Sequence, residues 1–411
     1  MPQKSAFRGS LDLLGTRRFG TFWVASLLSN MGTWAQQVAE PWLLLSIGAS
    51  SFLLGVDAFA AGAPVFVLTL LGGALADRRD RRRVITFFQS IQMLCPATLV
   101  VLLLVGAVRP WMVIILSLVV GITDALSMPS FQSIVPSIVE REQIASALAL
   151  NSTQFNLSRT LGPALAGVVM VVTGAVGCFA LNAASYIPFI AVALWILPRQ
   201  GPRIAARDRS DRRQLLAGVR SITRDPYLRG ALVTVLATST LCGPLITFCP
   251  VLVKDAFRQD VSGFSLAVAT FGIGGLLGAI GLLGVDAERD RRPLSSWFAI
   301  IYGALTVLVA LDPWFWGLPV LLVFAGAAMT VSNISANALL QTAAPGQFRG
   351  QTVSLYMLAM RGGISFGGLL TGASVHFWGV RPALLINGTL AVVLQIIVGR
   401  KWSDARSGLR H

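Results

Sequence analysis

Five ionisable side chains lie inside long apolar stretches of this 411-residue chain: Glu40, Asp57, Asp124, Arg159 and Arg361. Inserting an ionisable group at membrane depth is unfavourable, so each of the five is a candidate functional residue. A buried carboxyl group can bind and release a proton. A guanidinium group offers several hydrogen-bond donors to an anionic or oxygen-rich ligand. These residue types predict proton exchange and ligand binding.

The polar side chains of the first apolar stretch are spaced as one face of a helix. Asn30, Thr33, Gln37 and Glu40 follow one another at i, i+3, i+7 and i+10, and such a stripe must face water or protein. We expect Glu40 to exchange a proton or to recognise a cation. The alternative is a structural role, in which Glu40 bonds to Gln36 or to a neighbouring helix.

Asp124 and Arg159 are predicted to lie at similar depth. Asp124 is about 14 residues into its apolar stretch and Arg159 about 12 into the next, which the rise of a helix places near the middle of both. The two side chains could therefore meet as an ion pair that opens when substrate or a proton competes. A permanent structural pair is the alternative.

Arg361 shares a helical face with Ser354 and Ser365, at about the depth of Arg159. Two guanidinium groups from the two halves of the chain would suit an anionic or oxygen-rich substrate; anchoring of a helix is the alternative. A further polar stripe, which predicts a cavity wall, is formed at i, i+3 and i+7 by Thr330, Asn333 and Asn337.

The elements that must carry these residues are membrane helices. The chain is 55% hydrophobic and 12% charged with a mean hydropathy of +0.71, which excludes most soluble folds and all disordered ones. Stretches of about 20 apolar residues can cross a bilayer. Prolines such as Pro64, Pro96 and Pro244 predict bends in them rather than ends. We number as spans 1 to 12 the stretches 19–48, 52–76, 84–107, 110–134, 147–172, 175–197, 229–253, 262–285, 294–311, 314–340, 351–376 and 381–399.

The basic residues that give the formal charge of +15 are concentrated in the termini and in the loops between spans. With alternate loops on alternate sides, 27 of the 33 Lys and Arg residues fall on one side, four on the other and two within spans. The positive-inside rule then places both termini in the cytoplasm. The basic clusters define topology and meet anionic lipid headgroups, so we expect no nucleic-acid partner. Residues 1–18 do not have the pattern of a signal peptide.

Residues for catalysis or metal binding are scarce. The four cysteines fall inside predicted spans without CxxC spacing, and the histidines are His376 and His411. We therefore expect no metal site, no disulfide framework and no cofactor, and we interpret the cysteines as packing residues. No G-x-x-x-x-G-K-[ST] sequence occurs, which argues against ATP-driven pumping.

The chain divides into two similar halves. We predict a six-helix bundle over 1–197, a cytoplasmic linker over 198–228 with an amphipathic helix at Arg213–Ile222, and a second six-helix bundle over 229–411. Segments Gly72–Arg83 and Gly281–Arg292 resemble each other. Gly162, Gly167, Gly174 and Asn182 recur 205 residues later. Duplication of a six-helix unit is typical of transporters with a substrate cavity between the repeats.

The chain resembles the major facilitator superfamily over nearly its whole length. Gly73-x-x-x-Asp77-Arg78-x-x-Arg81-Arg82 is similar to that superfamily's cytoplasmic loop motif, with Asp80 where many members have glycine. The segment from Ala76 to Arg82 resembles the branch that includes enterobactin exporters and macrolide-efflux proteins. The resemblance implies that spans 1, 4, 7 and 10 line the cavity, that 2, 5, 8 and 11 form the interface of the halves, and that 3, 6, 9 and 12 face lipid.

The resemblance also assigns roles to two motifs. Asp77 would engage the N-terminus of span 11 and nearby arginines to close the cytoplasmic side, with the physical basis that a helix N-terminus stabilises an anion. We assign gating to Gly73 and Asp77, and only partly to Arg78, Arg81 and Arg82. In span 5, the residues Gly162, Pro163 and Gly167 resemble part of an antiporter motif, although Ser158 replaces a glycine of the full pattern.

The sequence thus predicts an all-α integral membrane protein of twelve helices that acts as a secondary active transporter. We expect a monomeric, proton-coupled exporter in the cell inner membrane whose substrate is a small amphipathic molecule, such as a siderophore, a secondary metabolite or a drug. The alternatives are an importer or flippase of a metabolite or lysolipid on the same fold and, more remotely, a membrane enzyme. An enzyme would need a nucleophile and base or a metal cluster, and the sequence presents neither.

Overall fold

The structure, a computed structural model, describes residues 12–197, 219–285, 290–344 and 349–407, and these residues form helices and no strand. The first helices are α1 Arg17–Ser46, α2 Ser51–Gly62, α3 Pro64–Arg78, α4 Arg81–Leu104, α5 Pro110–Ile134 and α6 Ile144–Trp195. They are followed by α7 Pro226–Ala237, α8 Val261–Leu283, α9 Arg292–Leu311, α10 Gly317–Ala343, α11 Arg349–Trp378 and α12 Val380–Ser407.

Shorter helical pieces join some of these elements. Two 3₁₀ turns, Val135–Ser137 and Arg141–Gln143, lie between α5 and α6. After α7 the chain passes through a π-helical turn at Thr238–Cys242, short helices at Pro244–Thr247 and Cys249–Val251, and a second π-helical turn at Leu252–Ala256.

Proline and glycine interrupt the predicted spans in different ways. Pro96 lies within continuous α4 and does not end it, as predicted. Pro64 and Pro244 each begin a new helical segment, so the prediction of bends rather than ends is wrong at these two positions, because proline has no N–H to continue the hydrogen-bond ladder. Spans 5 and 6 both belong to α6, which leaves helical geometry at Gly174 (φ 67°, ψ −166°). The Cys178 thiol contacts the carbonyl oxygen of Ala166 at 3.9 Å, so the chain reverses there.

Ten helical segments of the described chain are long and apolar enough to cross a membrane. One of them, Ser146–Trp195, is 50 residues long and contains the reversal in α6. The 30-residue α1 is not among the ten because its Asn, Gln and Glu residues lower its hydropathy. The predicted all-α membrane fold is therefore confirmed, and ten segments are compatible with twelve crossings.

The exposed surface has the character of a membrane protein. Large apolar side chains are exposed along the helices, including Val172 and Leu104 at 79% and 74%. Exposed tryptophans stand at helix ends: Trp195 closes α6, and Trp314 and Trp316 lie between α9 and α10. Tryptophan is enriched at the boundary between lipid and water.

The described chain forms two compact units. The first contains α1 up to Leu43 and the chain from Ala63 through α3 to α6; the second contains Leu44–Gly62 and the chain from α7 onward. The predicted linker 198–228 falls mainly on 198–218, outside the described residues, as does most of its amphipathic helix. The predicted bundle boundaries therefore stay a prediction.

In the first unit, two arginines at the start of α4 hold carbonyl groups of other elements. Asp80 caps α4 by accepting a hydrogen bond from the Arg82 backbone N–H at 3.1 Å. The Arg82 guanidinium donates to the Leu197 carbonyl oxygen, just beyond α6, at 3.4 Å. Arg81 donates to the Ser133 carbonyl oxygen in α5 at 3.2 Å. The loop arginines thus fasten helix ends within their own unit.

The second unit repeats this arrangement at the start of α9. Asp290 accepts from the Arg292 backbone N–H at 3.0 Å, and the Arg292 guanidinium donates to the Trp402 carbonyl oxygen in α12 at 3.5 Å. Arg292 also forms an ion pair with Asp290 at 2.8 Å and lies 4.3 Å from the centroid of the Tyr227 ring. The similarity of the two Asp-Arg-Arg segments extends to matching contacts, which supports duplication of one ancestral unit.

Candidate functional site

Glu40 is buried between α1 and α5 in the first unit. Its side chain is 7% exposed. One carboxylate oxygen accepts a hydrogen bond from the Ser117 hydroxyl, and the other accepts from the Gln36 amide at 3.2 Å. Among the described residues Glu40 has no cationic partner within ion-pair distance. The described donors to Glu40 are neutral, so no positive charge next to it fixes the carboxyl group in its ionised form.

The hydrogen bonds continue from Glu40 into the second limb of α6. The Asn182 amide donates to the Gln36 carbonyl oxygen at 2.6 Å, and its own oxygen accepts from the Thr33 hydroxyl at 3.4 Å. Thr33 also lies 3.3 Å from the Tyr186 hydroxyl. These bonds link three elements of the first unit. We call the set the Glu40 network: Thr33, Gln36, Glu40, Ser117, Asn182 and Tyr186.

Ser117 allows Glu40 to exist in either protonation state. Its hydroxyl oxygen lies near Glu40 and also 3.1 Å from the Val113 carbonyl oxygen. When Glu40 is ionised, Ser117 donates to it. When Glu40 is protonated, its O–H can donate to the Ser117 hydroxyl oxygen, and the Ser117 hydroxyl then donates its hydrogen bond to the Val113 carbonyl oxygen. Both states leave every one of these groups hydrogen-bonded.

Two glycines bring α6 close enough to α1 to form this network. A Cβ atom on Gly32 would lie 3.0 Å from the Asn182 Cα atom, and one on Gly162 would lie 3.3 Å from the Ala35 nitrogen and overlap Trp34. Gly162 therefore packs against the helix that carries Glu40. Its motif partners Pro163 and Gly167 are also buried in α6. The antiporter role of this motif stays a prediction.

On α1, the glutamine that bonds to Glu40 is not the one in the predicted polar stripe. Gln37 is exposed, and the amide that bonds to Glu40 belongs to Gln36, one helical turn away at i−4. This contact is the one expected for the structural alternative. Ser117 and Tyr186 were missed from the sequence because isolated hydroxyl groups in apolar helices carry no distinctive pattern. Asn182 gave a signal, since it recurs as Asn387 in the second half.

The other ionisable residues of the first unit lie on the expected helices. Asp124 is half-buried in α5, and its backbone carbonyl accepts from the Ser127 hydroxyl at 3.3 Å. Arg159 is 6% exposed in the first limb of α6. An ion pair between Asp124 and Arg159 stays a prediction.

In the second unit, Asp57 and Arg361 lie on two helices that pack together. Asp57 is 6% exposed on α2, and Arg361 is half-buried on α11. Phe59 of α2 contacts Phe366 of α11 edge to face, with ring centroids 5.3 Å apart. Ser365 donates to the Arg361 carbonyl oxygen at 2.8 Å. One helix pair thus carries a carboxylate and a guanidinium at membrane depth.

The polar stripe of α10 is buried and partly unsatisfied. Asn337 accepts from the Gln341 amide at 3.0 Å, and the Asn333 amide donates to the Met329 carbonyl oxygen at 2.9 Å. Asn333 Oδ1 and Thr330 Oγ1 are buried and have no hydrogen-bond partner among the described residues. Because an unpaired buried polar atom is destabilising, these two oxygen atoms mark a place for water or a ligand.

The loop motif lies where α3 ends. α3 finishes at Arg78, so Asp77 is in its last turn, but the side chains of Asp77 and Arg78 lie outside the described part of the chain. Gly73 is half-buried within α3. Arg81 and Arg82 bind carbonyl oxygens of the first unit, as described above. Closure of the cytoplasmic side by this motif stays a prediction.

Long apolar helices in duplicated units, with charged groups and hydrogen-bond networks buried inside, define a multi-pass membrane transporter of small molecules. The profile of the transmembrane secretion effector family matches residues 9–403. The chain therefore belongs to this family of the major facilitator superfamily, whose members are transporters and not enzymes.

Comparison with known proteins agrees with this assignment. The multidrug efflux pump Tap of Mycolicibacterium fortuitum is 28% identical, over 90% of this chain and 94% of its own length. The enterobactin exporter EntS of Shigella boydii is 25% identical, over 90% of this chain and 88% of its own. The crystal structure of the nucleoside transporter NupG, 12% identical, covers 94% of this chain and 99% of its own with a TM-score of 0.69. The predicted resemblance is confirmed.

Proposed function

We propose that the protein is a proton-coupled exporter of a small amphipathic molecule, such as a siderophore, a secondary metabolite or a drug, working by alternating access. The names of its relatives, a multidrug efflux pump and an enterobactin exporter, support efflux and this substrate range. The arginine-rich loops support an inner-membrane protein with both termini in the cytoplasm.

The Glu40 network is the observation that carries the proposal. Proton-driven transport needs a carboxyl group that is stable both with and without its proton. Glu40 meets this requirement because Ser117 can accept from it or donate to it, and because no described cation holds it ionised. The network reaches from α1 to α6, so a change of protonation at Glu40 reorganises the hydrogen bonds between helices.

The substrate side of the proposal rests on separate groups. Arg159 and Arg361 favour an anionic or oxygen-rich molecule. In the second unit, Asn333 Oδ1 and Thr330 Oγ1 are two buried acceptors that a donor on the substrate can satisfy. Asp57 and Asp124 supply further carboxylates at membrane depth. An amphipathic molecule with both donors and acceptors matches this set.

The experiment that tests export compares metabolites inside and outside cells with and without the gene. Export predicts that a deletion strain accumulates a metabolite internally and that the restored gene returns it to the medium. External retention in the deletion strain would instead indicate uptake. An unchanged metabolite profile in cells that normally make the protein would contradict transport of an endogenous molecule.

Proton coupling is tested by restoring the deletion strain with variants. Glu40→Gln keeps the size of the side chain but cannot exchange a proton, so we expect it to abolish gradient-driven export. Glu140→Gln is the matched control, because Glu140 is exposed. Export is then measured at two external pH values. If Glu40→Gln exports at the wild-type rate with unchanged pH dependence, coupling through Glu40 is wrong.

A further inference from the structure

The seventh span is interrupted twice along its length. It begins as α7, and π-helical turns at Thr238–Cys242 and Leu252–Ala256 enclose the short helices between them. A π-helical turn contains an extra residue and is frequently found at functional sites. We call residues 244–256 the outer segment, because α7 starts beside the arginine-rich linker and the predicted topology places the other end of the span on the opposite side of the membrane.

The backbone hydrogen bonds are irregular where the outer segment begins. The Gly243 N–H donates to the Thr238 carbonyl oxygen, five residues earlier, at 2.9 Å. Pro244 has no N–H to donate. The Ile246 N–H donates to the Gly243 carbonyl oxygen, three residues earlier, at 3.4 Å. Because a helix bends most easily where its hydrogen bonds are disturbed, the span can bend here.

Tyr302 of α9 binds the backbone at this irregular point. Its hydroxyl group donates to the Cys242 carbonyl oxygen at 3.1 Å. In a regular helix this carbonyl would accept from the N–H of Ile246, which is directed to Gly243 instead. Tyr302 is 1% exposed, so its bond to Cys242 is protected from competition by water.

Two glycines of α11 pack against the same turn. A Cβ atom on Gly363 would lie 2.7 Å from the Ser239 Cβ atom, and one on Gly367 would lie 2.8 Å from the Thr240 Cα atom. The backbone of α11 therefore supports the first π-helical turn directly. The outer segment continues beyond this supported turn, so a bend at Gly243 would move the outer segment and leave the turn in place.

The outer segment is buried in this structure. Leu245, Phe248 and Cys249 are each 0% exposed. Moving the segment would expose such apolar side chains, which is unfavourable in water. The structure therefore shows the segment in a closed position, and the bonds at the turn influence how easily it leaves that position.

We propose that the turn at 238–243 is a hinge on which the outer segment opens and closes, and that the Tyr302 hydroxyl group holds it closed. Opening breaks the bond from Tyr302 and leaves the Cys242 carbonyl oxygen to water, whereas the contacts of α11 with the turn are kept. A few residues at the ends of helical elements serve as hinges in this way. The role of the hinge in transport rests on the proposed alternating access. Opening itself is measured without substrate, so the hinge and the proposed function can fail separately.

The test uses Cys249 as a reporter of opening, because its buried thiol group reacts with N-ethylmaleimide only when it becomes exposed. The purified full-length protein in detergent is labelled, and each cysteine is quantified by peptide mass spectrometry. Tyr302→Phe keeps the ring and removes the hydroxyl group. We expect it to raise the labelling rate of Cys249 about fivefold, the effect of losing one buried hydrogen bond on the open population. Tyr186→Phe is the matched control, since it removes a buried tyrosine hydroxyl group from the first unit and should leave this rate unchanged.

A second variant should act in the opposite direction. Pro244→Ala restores an N–H that can donate to the Thr240 carbonyl oxygen, so we expect it to slow the labelling of Cys249 about threefold. A thermal melt of each variant verifies that it is folded. If Pro244→Ala does not fold, the result for Tyr302→Phe decides alone.

Three results would overturn the proposal. The first is an equal labelling rate of Cys249 in the wild type and in folded Tyr302→Phe. The second is a matching rise at a cysteine introduced into α12 by Leu384→Cys, a position that is 0% exposed, because this would indicate loosening of the whole second unit. The third is faster labelling of Cys249 in folded Pro244→Ala, which would contradict a hinge at this turn.

Discussion

Replacing Arg292 by glutamine should destabilise the second unit, because its guanidinium joins three parts of that unit. The contact with the Tyr227 ring contributes about 1 kcal/mol. The ion pair with Asp290, partly screened since that carboxylate is 27% exposed, contributes about 1 kcal/mol. The long hydrogen bond to Trp402 contributes about 0.5 kcal/mol. We expect a loss of about 2–3 kcal/mol in the free energy of unfolding.

The assay is thermal unfolding of the purified protein in detergent without added lipid, followed by intrinsic tryptophan fluorescence. For a unit of this size, a loss of this magnitude lowers Tm by about 5–10 °C. Arg82→Gln is the matched control: Arg82 occupies the equivalent place in the first unit and makes one long hydrogen bond, to Leu197 at 3.4 Å, in addition to its backbone contacts. Its Tm should fall by only about 1–3 °C.

A double-mutant cycle isolates the aromatic contact. Tyr227→Leu alone, and combined with Arg292→Gln, should give a coupling energy of about 1 kcal/mol. Equal Tm losses for Arg292→Gln and Arg82→Gln, or a coupling energy near zero, would refute the reasoning. In that case the groups around Arg292 would be close to it without contributing to the free energy of unfolding.

Two other predictions concern helix packing and a helix cap. Gly162→Leu should abolish both transport and the native melting transition, because its Cβ would already overlap Trp34; a native-like melt in size-homogeneous protein would contradict this. Asp260 caps α8 by accepting from the backbone N–H groups of Ser262 and Gly263. The hydrogen bond from the Ser262 hydroxyl, followed by these two backbone bonds, lowers the pKa of Asp260 below its ordinary 3.8. The ionised carboxylate therefore stabilises the fold; this stabilisation is complete above the ordinary pKa and is lost as the pH falls through the lowered pKa of the folded state. Asp260→Ala should have a lower Tm than the wild type at pH 7, and the difference in Tm should shrink as the pH of the melts approaches 3.

The membrane helices could be predicted from composition because a bilayer imposes one length and one polarity on every crossing. The same rule explains why α1 is the least obvious of them. Its Asn30, Gln36 and Glu40 lower the local hydropathy, and the structure shows why two of these are tolerated: Gln36 and Glu40 are buried against other helices and hydrogen-bonded. A polar helix inside a membrane protein is stable only when its hydrogen-bond partners on other helices are present, and a hydropathy value contains no information about those partners.

The site could be predicted only as a list of helices and ionisable residues. Glu40 stood out because a carboxyl group in an apolar stretch is rare. Its partner Ser117 did not, since a serine in a membrane helix commonly bonds only to its own backbone, as Ser117 also does at Val113. Gln36 and Gln37 stand four and three residues before Glu40 on the same helix, and both spacings allow a side-chain contact, so periodicity does not resolve which of the two reaches Glu40. Tertiary packing, through Gly32 and Asn182, decides it.

The aspartate that departs from the superfamily's loop pattern has a structural reason in both repeats. Asp80 caps α4 through the backbone N–H of Arg82, and Asp290 makes the same bond to Arg292 at α9. A glycine in that position has no side chain to satisfy these helix N-termini. The arginines that follow are then fixed where they reach the carbonyl ends of α6 and α12. Because Arg81, Arg82 and Arg292 all hold helix ends, their charge alone is weak evidence for gating, which leaves Gly73 and Asp77 as the residues on which that prediction depends.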